Sequence, residues 1–276
     1  MKTRVISGAV YVAIVVGMFC LRQFVDTRLF QLLTYFYSIV GTFEVARAVK
    51  DYAVNKVVLV AIIYSVLFAP LYALFTYLNI LDLSAYLILL TYFIGFALIL
   101  CLMANAQRKT LKEYGVSLIP LVYPMVFILC MLAINDLSNN SFVAMLLLYV
   151  IAPIADTMAY FVGSMIGGKK LCPKLSPKKT WSGAIGGVIG GIGGAILVYA
   201  IFTPTISIGL PYLVFAGIGL IASILTIFGD LLESLLKRKV NIKDMGKIMP
   251  GHGGVMDRID GMTLLAPFIL LIFSLI

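Results

Sequence analysis

Nine apolar stretches of 15 to 22 residues follow one another along this 276-residue chain. They lie near positions 5–21, 29–43, 57–78, 83–104, 115–134, 142–163, 183–203, 209–230 and 260–276. At a helical rise of about 1.5 Å per residue these lengths suit a hydrocarbon core of ~30 Å, the second and last only barely. A backbone in lipid must satisfy its own N–H and C=O groups, and over a single stretch of this length only a helix does so. The expected fold is therefore all-α and polytopic, with about nine transmembrane helices. The composition agrees: 62% of residues are hydrophobic and 12% charged, with a mean hydropathy of +1.08, far from a soluble domain.

Charge gives the topology. With a cytoplasmic N-terminus, 19 of the 21 Lys and Arg fall on the cytoplasmic side and only Arg22 and Arg28 on the other. That bias predicts N-in and C-out. The first apolar run follows Lys2 and Arg4 without a small-residue cleavage site, which reads as a retained signal anchor. Two regions are expected: N-terminal helices over 1–140, with about five spans, and a C-terminal transmembrane region over 141–276 with cytoplasmic loops 164–182 and 231–259. The four cysteines show neither C-x-x-C nor metal-ligand spacing and read as isolated thiols.

Three polar clusters share the predicted cytoplasmic face. The first runs from Asp156 to Gly183. Asp156, Tyr160 and Gly163 lie at i, i+4 and i+7, and Asp156 stands about 10 Å inside its span, a costly place for an acid. "SPKKT" follows, where the hydroxyls of Ser176 and Thr180, Lys178, Lys179 and a helix start would suit a polyanion. A basic patch that attracts lipid headgroups explains this cluster equally well. The second cluster sets Asp230, Glu233, Ser234 and Lys237 on one helix face.

The third cluster is "KDMGKIMPGHGGVMDRIDG". Its "PGHGG" cannot be regular helix. Asp257 and Asp260 then lie at i and i+3 beside Arg258. With Asp230 they make an oxygen-ligand set suited to Mg²⁺, which takes few carboxylates plus phosphate and water. His252, the single histidine, is a weak metal signal. Carboxylates beside lysines at a membrane surface describe phosphoryl-type transfer. The glycines of "GAIGGVIGGIGGAIL" recur every four residues and read as packing faces.

These residues resemble the phosphatidate cytidylyltransferase family, also called CDP-diacylglycerol synthase. The signature positions Ser234, Lys237, Arg238, Lys243, Asp244, Gly246, Pro250, His252, Gly253, Gly254, Asp257, Arg258 and Asp260 are all in register. The upstream "DTMAYFVG", "SPKKTW" and "FGDLLES" also look like family segments. The motifs cover roughly the last 120 residues, and the first 140 match in hydrophobic character alone. Ser182 departs from the pattern, standing where an acid is common.

The resemblance implies transfer of CMP from CTP to phosphatidate, giving CDP-diacylglycerol and pyrophosphate, in the membrane lipids of a bacterial inner membrane with the site facing the cytoplasm. Mg²⁺ is the implied cofactor, a second, monovalent cation is left open, no nucleic acid is expected, and there is room for a homodimer. Asp230 and Asp257 become the expected main metal ligands, supported by Asp260, Asp156 and Glu233. Lys178, Lys179, Lys237 and Lys243 would meet phosphates with Ser176, Thr180 and Ser234, Lys237 and Arg258 would act with Asp230 and Asp257 as catalytic residues, and His252, Gly253 and Gly254 would shape a phosphate cradle. A lipid phosphate is already ionised near neutrality, so the absence of a nucleophile–base pair fits.

Two other readings are weaker. A CDP-alcohol phosphotransferase needs further acids after "DRIDG", where only apolar residues follow. A secondary transporter would carry internal repeats and midplane charge.

Overall fold

A computed structural model describes residues 2–77, 94–98, 100, 110–137, 140–202 and 211–275. The span expected over 83–104 lies outside the described residues, apart from a short helical piece, as do Asp82, Arg108 and Lys109. The described chain is almost wholly helical: α1 (Lys2–Phe24), α2 (Phe30–Val49), α3 (Asn55–Tyr77), α4 (Leu111–Asn135), α5 (Ser141–Ile166), α6 (Trp181–Phe202), α7 (Pro211–Lys239), α8 (Met256–Thr263) and α9 (Leu265–Leu275). Among the described residues six helices are long and apolar enough to cross a membrane, or seven if the bent pair α8–α9 is one span. This is an integral membrane protein.

Where the helices depart from the apolar runs, the causes are local. α7 continues nine residues past the run ending at 230, because "LLESLLKRK" is made of good helix formers and carries an i,i+4 pair, Glu233 with Lys237. The last run is not one straight helix. α8 and α9 meet at a 45° bend, and Pro267 in the first turn of α9 cannot donate to the carbonyl of Thr263. Asp26 caps a short 3₁₀ turn (Thr27–Leu29) by accepting from the Arg28 N–H at 2.7 Å.

The loop after α5 is a small hairpin. Gly167 ends the helix with φ +66, and strands β1 (Lys170–Cys172) and β2 (Ser176–Thr180) pair antiparallel. β2 runs into α6, where Thr180 Oγ1 accepts from the Gly183 N–H at 3.1 Å and so caps the helix.

Two compact units are present. The first comprises Met1–Leu129 with Val240–Asp257, so the segment before α8 packs with the N-terminal helices. Its core includes Phe30, Tyr37, Tyr64, Leu121 and Met125. The second unit comprises Cys130–Lys239 with Arg258–Ile276 and is built on α5, α6 and α7.

Glycines set the helix spacing in the second unit. A Cβ on Gly183 would stand 2.7 Å from the carbonyl oxygen of Ala159, and one on Gly187 3.0 Å from that of Ala155, so α5 rests on the backbone of α6. On the other side of α6, the space beside Gly191 is filled by the Ser223 hydroxyl of α7. The glycine repeat is thus a packing surface on two sides.

Candidate active site

In the second unit, one cleft of about 460 Å³ opens between the end of α5, the hairpin and the start of α6. Asp156, Tyr160 and Gly163 line it from α5, Lys170 from β1, Lys178, Lys179 and Thr180 from β2, and Asp230 from α7. Close helix contact brings these groups together, since a Cβ on Gly163 would meet Thr180 Oγ1 at 2.8 Å. The stripe read from the sequence therefore faces the "SPKKT" lysines.

Asp230 is engaged on both oxygens. Its Oδ2 lies 2.6 Å from Lys179 Nζ, and its Oδ1 accepts from the Ser234 hydroxyl at 3.2 Å. The ion pair links β2 to α7, and both side chains are about one-quarter exposed (24% and 26%), open to a ligand in the cleft. Asp156 lies in the repulsive field of Asp230 and Asp260 and in the attractive field of Lys179 and Arg258.

Asp260 reaches this group because α7 and α8 nearly touch. A Cβ on Gly229 would stand 3.3 Å from the Gly261 Cα, and one on Gly261 2.8 Å from Thr226 Cγ2. Asp260 accepts from the Gly261 N–H at 2.8 Å and lies beside Glu233. Two carboxyl groups in contact repel unless a proton or cation lies between them. Glu233, fully buried, also holds Lys237 at 2.5 Å, so that lysine answers an acid of its own helix and does not line the cleft.

The acids test whether a metal fits. Among the described residues no group of three or more His, Cys, Asp or Glu side chains is placed to hold a metal ion by itself. An open site fits better: Mg²⁺ binds through one or two carboxylates and completes its shell with waters and substrate phosphates. Asp156 and Asp230 line the cleft and Asp260 lies in the field of both, which is the residue type such an open site uses.

The signature turn belongs to the first unit. "PGHGG" forms a tight turn: the Met249 N–H donates to Gly253 O and the His252 N–H to Met249 O, each at 2.9 Å, with Gly251 and Gly253 at φ +77 and +88. Gly253 is required twice over, since a Cβ there would also stand 2.8 Å from Asp257 Oδ2. Asp257, buried, accepts from the Gly254 N–H at 2.7 Å and the Met245 N–H at 2.9 Å. His252 Nδ1 lies 2.7 Å from the Ser7 hydroxyl of α1, which also donates to Pro250 O at 3.0 Å. Serine has one proton, so the consistent assignment has Nδ1–H donating to Ser7 Oγ. The histidine ties the turn to α1.

The model of the cytidylyltransferase family matches residues 2–276. The chain belongs to that family. It is 31% identical over 281 residues to the phosphatidate cytidylyltransferase of Bacillus subtilis (strain 168), covering all of this chain and 98% of that relative. The Thermotoga maritima protein of the same name is 29% identical over 169 residues, 61% of each chain. The one from Helicobacter pylori is 34% identical over 160 residues, 58% of this chain and 57% of the relative. The family makes this chain a nucleotidyltransferase.

Thr180 lines the cleft and also caps α6, Ser176 pairs within the hairpin opposite Cys172, and Lys243 is exposed in the first unit. The sequence leaves open whether Lys169 or Lys170 meets phosphate, and it is Lys170 that lines the cleft. Ser7 carried no signal in an apolar run. Glu44 did carry one, as the single acid of α2.

Proposed function

We propose that this enzyme transfers CMP from CTP to phosphatidate, releasing pyrophosphate, with the cleft at the cytoplasmic face of a bacterial inner membrane. The observation that carries this reading is the cleft itself, where Lys170, Lys178 and Lys179 face Asp156 and Asp230. Lysines of this number suit a triphosphate, and the acids suit its accompanying cation. The names of the relatives and the 19-to-2 charge bias support the same substrates and the same face.

In the proposed reaction a phosphatidate oxygen bonds to the α-phosphorus of CTP while the bond to the β-phosphate breaks. The nucleophile is already ionised, so the protein needs no strong base. Its task is to hold two polyanions in line. Lys178, Lys179 and Lys170 screen the triphosphate, and Thr180 holds the α6 start against the cleft. Mg²⁺, held by Asp230 and Asp260 with Asp156 near, would offset charge on the phosphates. Asp257 keeps its expected ligand role on the strength of its motif position.

The deciding assay follows label from α-labelled CTP into organic-soluble lipid. It should require both phosphatidate and Mg²⁺; purified, folded protein that transfers nothing would sink the reading.

A further inference from the structure

Glu44 is an acid in the middle of an apolar helix and is only 3% exposed. A carboxylate so placed is costly unless it is hydrogen-bonded. It accepts from the Val255 N–H at 3.1 Å and from the Met256 N–H at 3.0 Å, donors left over at the start of α8. The positive end of that helix favours the negative charge.

The signature glycines are shaped around this carboxylate. A Cβ on Gly246 would fall onto Glu44 Oε1, and one on Gly254 would lie 2.5 Å from the same oxygen. One turn earlier on α2, a Cβ on Gly41 would meet Met256 Sδ at 2.9 Å, so the two elements touch along one face. Asp257 binds the neighbouring Gly254 and Met245 amides. Two carboxylates from distant parts of the chain therefore hold the three consecutive amides of residues 254–256 and that of Met245.

We propose that Glu44 is a positioning residue for the transfer reaction: it sets the signature loop and the start of α8, and so fixes where Asp257 stands. The role rests on the transfer activity proposed above. It explains why Gly246 and Gly254 must be glycine, a need that the turn conformation of residues 250–253 does not create.

The test uses full-length purified protein. Glu44→Gln keeps the volume but sets an amide nitrogen against a backbone N–H. Its kcat should fall about tenfold or more per folded molecule, with the KM for CTP within about twofold. Amide exchange over residues 250–258 should quicken. Gly246→Ala should lower kcat in the wild type and by less than about twofold in a Glu44→Ala background, where the methyl group has room. If Glu44→Ala does not fold, Glu44→Gln and the exchange measurement suffice. Wild-type kcat in folded Glu44→Gln, unchanged exchange, or an equal Gly246→Ala loss in both backgrounds would overturn the proposal. Wild-type protein with no transfer activity would overturn the function and this role together, whereas exchange reads the loop contact alone.

Discussion

Asp230→Asn should cost about 100-fold or more in CTP-dependent transfer while leaving the protein folded. The asparagine has the size of the aspartate and can still accept from Ser234. What it loses is the charge that holds Lys179 at 2.6 Å and that the proposed cation requires. Folding should not suffer, because Asp230 repels both Asp156 and Asp260 and its neutralisation relieves that strain. The signature of the variant is therefore lost activity at unchanged or slightly raised thermal stability. Transfer assays and melting in detergent read the two quantities separately. Activity within about threefold of wild type would remove Asp230 from the phosphate and metal site; loss of folding would make it a structural residue instead.

Gly191→Val should have the largest effect on stability. The first added carbon lands on the Ser223 hydroxyl of α7 and stands 3.2 Å from Ile151 of α5, so two helix contacts break at once. Backbone also limits any retreat, because Gly219 of α7 lies against the carbonyl of Gly191, where its own Cβ would come within 2.7 Å. Overpacking of a tight interior costs about 1–3 kcal/mol, and a displaced backbone puts this site at the upper end or beyond. Gly193 is the internal control. It is on the same helix, yet nothing lies within 4 Å of its Cβ position, so Gly193→Val should melt with the wild type. Equal melting of the two variants would show that the repeat is not a packing surface.

That pair of glycines also shows what could be read in advance. Four-residue spacing in an apolar run announces a smooth helix face, and Gly183, Gly187 and Gly191 are where α6 meets its neighbours. The spacing does not reveal that α5 lies on one side and α7 on the other. Asp156, Tyr160 and Gly163 behave likewise: helical periodicity puts them on one stripe, and the cleft faces that stripe. Lys237 and Glu233 show the opposite case. Their i,i+4 spacing puts them on one helix face, where they pair with each other. Periodicity reports which residues share a face, not whether they answer a ligand or one another.

Glu44 marks a different limit. A lone acid in an apolar helix signals a costly burial, and its partners, the amides of Val255 and Met256, lie more than 200 residues further along the chain. No local pattern links them. The hairpin of 170–180 and the bend at Pro267 are of the same kind. Gly and Pro announce a break, and only the packing around them decides its shape.

The sequence by itself determined that the chain is helical and membrane-embedded, because lipid leaves an unpaired backbone no alternative, and its signature determined the family. The tertiary structure decided which lysine and which acids share a cleft, which glycines carry helix contacts, and that the signature turn is held by Glu44 and Ser7. Those relations depend on close approach between distant segments, set by side-chain volume and hydrogen-bond satisfaction across the fold, which the linear order of residues does not encode.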